Sequence, residues 1–194
     1  MPKAMPPRFA LIFWPVLDRL LGVIEHIRPL KADTNGIFRF SLRRYEGMTR
    51  VLNDGSEVQA GDNIIELHLN NEWFRERRKL NLSASQSPRE FLGCLARELR
   101  FLAQQVASGT FGGNIVALHG STVLHVPARR LGFQVDDLPD SLWKKGARFY
   151  MTGLMQVYHL RGDEVSGLRE KGWELKEVWL SRAALLSRYG PKHE

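Results

Sequence analysis

"GDNIIELHLNN", residues 61–71, decides the fold class. In an extended chain side chains alternate, so Ile65, Leu67 and Leu69 fall on one side and Glu66, His68 and Asn70 on the other. A helix would scatter both sets around its axis. The spacing therefore predicts a strand over 64–70 with one apolar and one polar face, and it places a carboxylate and an imidazole two residues apart on that polar face.

Working back from this strand, Gly61-Asp62 and Asp54-Gly55 are turn signals, the second of hairpin type. From Ile37 the chain alternates again. Phe38, Phe40 and Leu42 are expected on one side of a strand, and Arg39, Ser41 and Arg43 on the other. Further back, Leu17, Leu20, Ile24 and Ile27 repeat at helical spacing after Pro15, which predicts a helix over 14–28 closed by Pro29.

Working forward, "RERRKLN" (75–81) precedes the clearest helix in the chain, predicted over 88–107. Ser87 is its cap, Pro88 its first residue and Glu90 completes a capping-box spacing; Phe91, Leu95, Leu99, Leu102 and Val106 form its apolar stripe. "GGNIVALHG" (112–120) reads as a short strand. The following "STVLHVPARRLGFQV" (121–135) is either a second strand ending near Val126 or a short helix leading into a strand at 132–135. Asp140 or Ser141 is expected to start another long helix, with Trp143, Ala147, Tyr150, Leu154 and Val157 as its stripe. "ELKEVWL" (174–180) reads as a strand and "SRAALLSRYGP" (181–191) as a short capped helix stopped by Gly190 and Pro191.

This order predicts an α+β or mixed α/β fold, a small β-rich unit packed with two longer helices. Residues 1–30 form an N-terminal helical segment and 31–191 the main domain, with a subdomain boundary at 80–87.

With 43% apolar and 25% charged residues the chain has the composition of a folded domain, and Cys94, its single cysteine, excludes an internal disulfide or a multi-cysteine zinc site. The apolar run from Phe9 to Ile24 is broken by Asp18 and Arg19, so no transmembrane segment is expected, and a core helix is preferred to a surface-associated helix or a targeting remnant. A net charge of +7 favours anionic partners without choosing among nucleic acid, membrane and acidic glycan.

The candidate site residues follow from chemistry. Glu66 could orient His68 for acid/base work, with Asn70 adding a neutral contact; a solvated strand face is the competing reading. Arg39 and Arg43 could clamp a carboxylate or phosphate, or Glu66 could pair with one of them structurally. His119, Ser121 and His125 in "ALHGSTVLH" form a second candidate pocket segment. Their spacing matches no zinc motif, so neither metal nor cofactor is expected, and "HGSTV" is not a nucleophile elbow. Cys94 is expected to pack as a small apolar residue. The run Arg75–Lys79 reads as a solvated charged loop before it reads as a phosphate contact.

Four segments together, "LRRYEG" (42–47), "DGSEVQAGDNIIELHLNN" (54–71), "ALHGSTVLHVPARRLGFQV" (117–135) and "EVWLSRAALLSRYGP" (177–191), resemble the YkoP-like domain, a bacterial domain also found attached to polysaccharide deacetylase-like regions. The resemblance implies a role at the cell envelope. It does not carry deacetylase chemistry, whose aspartate-histidine metal pattern is absent from this sequence. Separately, "VPARRLGF" (126–133) resembles the late helix-to-strand segment of acetyltransferase folds, although no glycine-rich pyrophosphate loop precedes a helix.

The expected function is thus an accessory or binding domain for an anionic or polyhydroxylated cell-envelope ligand, with an envelope-associated protein as a further partner. The alternatives are a small-molecule transferase, acyltransferase-like, or hydrolase using a histidine base, and, less favoured, a nucleic-acid-binding protein. A cytoplasmic location, or one peripheral at the inner face of the membrane, is expected, with export open.

Overall fold

A computed structural model describes residues 26–30, 36–73, 76, 88–112, 114–138 and 174–191. Six strands form one sheet in the order β1-β2-β5-β6-β8-β7: β1 (Arg28–Pro29), β2 (Phe38–Arg44), β5 (Asn63–Leu69), β6 (Ile115–Thr122), β7 (Gln134–Asp137) and β8 (Lys176–Ser181). Between β2 and β5 the chain makes a small separate ladder of β3 (Arg50–Val51) and β4 (Glu57–Val58). The helices whose bounds lie among the described residues are α1 (Pro88–Ala107), α2 (His125–Arg130) and α3 (Arg182–Tyr189). The fold is mixed α/β, as the alternating and helical patterns required.

Among the described strands only the central pair, β5 and β6, is parallel. A parallel pair needs a crossover, and α1 lies in it, between β5 and β6 in the chain. Its stripe is buried at Leu95, Leu99, Leu102 and Val106, against Phe38, Phe40, Ile65, Leu67, Leu118, Val178 and Leu180 of the sheet. Each fully buried leucine contributes roughly 1.5–3 kcal/mol. Leu185 and Tyr189 of α3 complete this layer.

The side chains of the opposite face follow from the register. They are Arg39, Ser41 and Arg43 on β2, Ile64, Glu66 and His68 on β5, Ala117, His119 and Ser121 on β6, and Glu177, Trp179 and Ser181 on β8. A register irregularity between Asn63 and Ile64 brings Ile64 opposite Ala117 rather than Val116, which is why Ile115 and Leu118 can both belong to the helical side. The β3–β4 hairpin covers one part of this second face, burying Leu52 and Val58 against Ile64, Ala117 and Trp179. Gly55 in its turn has φ +82°, a left-handed conformation that favours glycine.

Two expectations need correction, and one open alternative is decided. The N-terminal helix does not reach residue 28, because His26 has φ +52° and Arg28–Pro29 pairs with Phe40 and Arg39. Proline is tolerated there since β1 is the sheet edge. Leu42, assigned to the buried side of β2, is 47% exposed, whereas Ser41 is 2% exposed. The layers covering a sheet decide burial, and alternation alone does not show where those layers end. After "GST" the chain takes the short-helix alternative, with β6 running through Gly120 to Thr122 first. Residues 14–25 of the predicted N-terminal helix, the long helix expected after Asp140, the 80–87 boundary, and Arg75 with Arg77–Lys79 lie outside the described residues.

Glu98 interrupts the apolar stripe of α1, yet it is only 7% exposed. Its carboxylate accepts the Phe38 backbone N–H at 3.0 Å, tying the crossover helix to the start of β2. Replacing Glu98 with Leu strands that buried donor, so the Glu98→Leu variant should lose about 1–3 kcal/mol in denaturant titration. Glu98→Gln, which keeps an acceptor, should lose less.

Candidate functional site

The polar face is ordered in rows by the register. One row runs Ser41, Glu66, His119, Trp179, Gln134 across five strands; the next places Arg39 beside His68 and Ser121 beside Glu177 and Asp136. The sheet thus brings Glu66 and His119 onto facing positions of β5 and β6, which sequence spacing could not establish.

Much of this face is already paired. Arg43 Nε donates to Glu66 Oε2 at 3.1 Å. His119 Nε2 lies 3.0 Å from Glu177 Oε1, and its ring stacks on Trp179 with centroids 4.2 Å apart. Arg50, at the start of the hairpin, donates to Asp136 at 2.8 Å and to Glu177 at 2.7 Å, and its guanidinium lies 5.0 Å from the Trp179 ring. Burial raises the Glu177 carboxyl, but the His119 hydrogen bond, Trp179 and the Arg50 charge outweigh it and hold the group below its usual value. Asp54 accepts from Ser181 Oγ, and Asn53 N donates to Gln134 at 2.9 Å, so the hairpin is fastened to the sheet by polar contacts as well as by Leu52 and Val58.

His68 differs from these groups. Its Nε2 is buried and has no hydrogen-bond partner, as does Ser41 Oγ in the neighbouring row. Burial is the largest influence on the ring and lowers its pKa; Glu66 opposes this, and Arg43, Arg39 and His119 add to it, leaving His68 below the usual histidine value. The ring is neutral near pH 7 and able to accept a proton. Arg39, opposite His68, forms no ion pair among the described residues, and Glu66 is occupied by Arg43.

The ladder between β5 and β6 ends at Glu66 and His119. Beyond it β5 remains paired with β2 through Leu69, and β6 with β8 through Thr122, so the sheet continues on both sides of an unpaired central seam. A cavity of about 60 Å³ occupies this seam. It is lined by Leu67, His68 and Leu69 from β5 and Gly120, Ser121 and Thr122 from β6, with apolar side chains that include Leu95 of α1 in its wall. Pro127 and Ala128 of α2, with Leu131 and Phe133 after it, form part of the wall. Gly120 stands at the vertex: a Cβ there would lie 2.9 Å from the Leu67 carbonyl oxygen, so any other residue would force the strands to shift.

Of the sequence candidates, His68 and Ser121 line the cavity, and Glu66 and His119 sit one row away. Asn70 is 4% exposed and its amide is engaged with main chain, donating to Gly36 O at 2.8 Å and accepting from Glu72 N at 3.2 Å. His125 is buried at the first position of α2 and does not line the cavity. Cys94 is half-buried on α1, with Arg97 Nη2 3.0 Å from its sulfur. Among the described residues no three histidine, cysteine, aspartate or glutamate side chains are grouped to hold a metal, and no helix is long and apolar enough to cross a membrane.

Sequence reasoning missed Arg50, Asp136, Glu177 and Trp179. Period-two alternation in "KEVWLS" does put Glu177 and Trp179 on one face, but only the pairing of β6 with β8 tells that this face carries His119.

The lowered His68 pKa has a definite sign. The unfolded chain takes up a proton near the ordinary value of 6.5, which the native protein resists, so this group favours the folded state above that pH and stability falls as pH drops through it. Equilibrium denaturation between pH 7 and pH 5 (~2 units around that value) should show a decline in wild type that is shallower in His68→Gln.

The YkoP domain family model matches residues 7–189. Among curated proteins, the Bacillus subtilis (strain 168) protein named "Uncharacterized protein YkoP" is 25% identical over 126 residues, covering 64% of this chain and 68% of that protein. No solved structure matches. With the match spanning the sheet, the seam, α1, α2 and α3, the chain belongs to the YkoP domain family.

Proposed function

We propose that this protein is a small-molecule acyltransferase in which an acyl thioester enters the seam between β5 and β6 and His68 acts as the base. The observation that carries the reading is the loss of pairing in mid-sheet, where a cavity lies between two strands that each remain paired on their outer sides. Open strand edges favour a linear ligand bearing amides, which can hydrogen-bond along them as an added strand does. Apolar walls at Phe38, Leu67, Leu69 and Phe133 suit the thin, weakly polar arm of a pantetheine-type thioester better than a peptide with alternating side chains.

Further support comes from the segment that resembles the acetyltransferase helix-to-strand unit. Pro127, Ala128, Leu131 and Phe133 of "VPARRLGF" all face the cavity. Residues 70–87, between β5 and α1, contain no glycine, so the reading commits to the thioester arm and leaves the rest of the donor open. The anionic or envelope-derived ligand expected from charge enters as the acceptor, and a cytoplasmic or inner-membrane-face location goes with this chemistry.

The test is calorimetric binding of S-acetyl-pantetheine and acetyl-CoA, with thiol release followed separately in the presence of simple amines. Wild type should bind at least the pantetheine thioester saturably. Gly120→Ala should weaken binding, because the added methyl forces the seam to move. His68→Gln should keep binding and lose thiol release by about 10²–10⁴-fold. Absence of binding to both thioesters removes the reading.

A further inference from the structure

The seam accounts for a donor and His68 for a base, but the acceptor is left unassigned, and three features beside the seam bear on it: the buried Nε2 of His68, the buried Oγ of Ser41, and the guanidinium of Arg39. The first two are polar atoms cut off from solvent without a protein partner. Buried polar groups are nearly always hydrogen-bonded; besides Trp179 Nε1 under the hairpin, these two stand in neighbouring rows of one face. Arg39 is the Cα partner of His68, and Ser41 that of Glu66, so all three project from the same face next to the cavity that His68 lines.

Charge narrows the ligand. Two arginines and three carboxylates on or over this face meet in pairs and bridges: Arg43 with Glu66, and Arg50 of the hairpin with Asp136 and Glu177. Arg39 has no such counter-charge among the described residues. The guanidinium of a half-buried arginine beside a neutral imidazole is suited to an anionic group, which its planar fork binds in bidentate fashion.

We propose that this face is the acceptor site, and that the acceptor is a small amine or alcohol carrying an acid group, its anion on Arg39 and its nucleophile between Ser41 Oγ and His68 Nε2. This rests on the acyltransferase reading for the transfer step, though the binding of such an acid does not. In that step the acceptor N–H or O–H proton passes to His68 Nε2 as the new bond forms at the thioester carbonyl carbon. The carbon–sulfur bond then breaks, and the departing thiolate takes the proton from His68. Acyl group and thiol are exchanged, and His68 returns to its neutral state.

Matched probes test the site in the full chain without any donor. O-phosphoethanolamine is compared with ethanolamine, and glycine with glycinamide, while the Cε1 signals of ¹³C-labelled histidines are recorded by NMR and His68 is identified by its loss in His68→Gln. The expected result is a saturable movement of the His68 signal with an acid member and not with its counterpart lacking the acid group. Response to phosphoethanolamine alone or to glycine alone distinguishes a phosphate from a carboxylate acceptor. Arg39→Gln should weaken acid binding about tenfold or more, the cost of losing a charge-assisted contact, and Arg39→Lys should weaken it less. Thermal unfolding confirms that each variant is folded.

Equal response to members with and without the acid group, no response to any of the four, or acid binding unchanged in Arg39→Gln overturns the proposal. S-acetyl-pantetheine binding is measured on the same samples. Its absence alongside Arg39-dependent acid binding removes the donor reading and sustains the acceptor site, and the opposite pattern does the reverse.

Discussion

The rest of the structure depends on the parallel ladder between β5 and β6 and on where it stops. That ladder joins the strands before α1 to those after it, so it holds the six-stranded sheet together, and it forces the long crossover that α1 supplies. It also ends at Glu66 and His119 while the ladders on either side continue. A strand edge left open inside a sheet is costly unless something satisfies it, since buried main-chain donors and acceptors are almost always paired. Gly120 makes the geometry attainable, because its missing side chain lets the Leu67 carbonyl approach at the point where pairing ends.

The polar face is arranged around the same point. On the β8 side, Arg50 and His119 converge on Glu177 while both lie against Trp179, and this half-buried network secures the β3–β4 hairpin over Ile64 and Ala117. Such a network gains from having each charge matched, because breaking one partner of a buried pair leaves the other uncompensated. On the β2 side only Arg43 and Glu66 are matched. The result is an asymmetric face: a structurally committed half under the hairpin, and a half around Arg39, Ser41 and His68 whose polar atoms are less fully used.

How much of this was legible in the sequence depends on range. Local patterns were sufficient for α1, whose predicted limits of 88 and 107 match those observed, for β5 within one residue at either end, and for α3 with its Ser181 cap, whose side chain accepts from Ala184 N at 2.9 Å. Alternation was also enough to place Glu66 and His68 on one polar face. Pairing across the sheet was not legible. The strand at 28–29, the partnership of His119 with Glu177, and Arg50's bridge to residues 86 and 127 positions away all depend on register, which no short-range signal carries. Nor did any local pattern show that Asn70 would turn inward to serve Gly36, or that Glu98 would be drawn into the core by an unpaired N–H of β2.

The central claim is that the seam receives a ligand chain along its open strand edges. Amide hydrogen exchange of the full chain, with and without saturating S-acetyl-pantetheine, measures this most directly. The account predicts slower exchange confined to peptides covering residues 67–69 and 120–122, with α3 and the β3–β4 hairpin unchanged. Unaltered exchange at the seam under saturating ligand, or protection appearing only elsewhere, would contradict it.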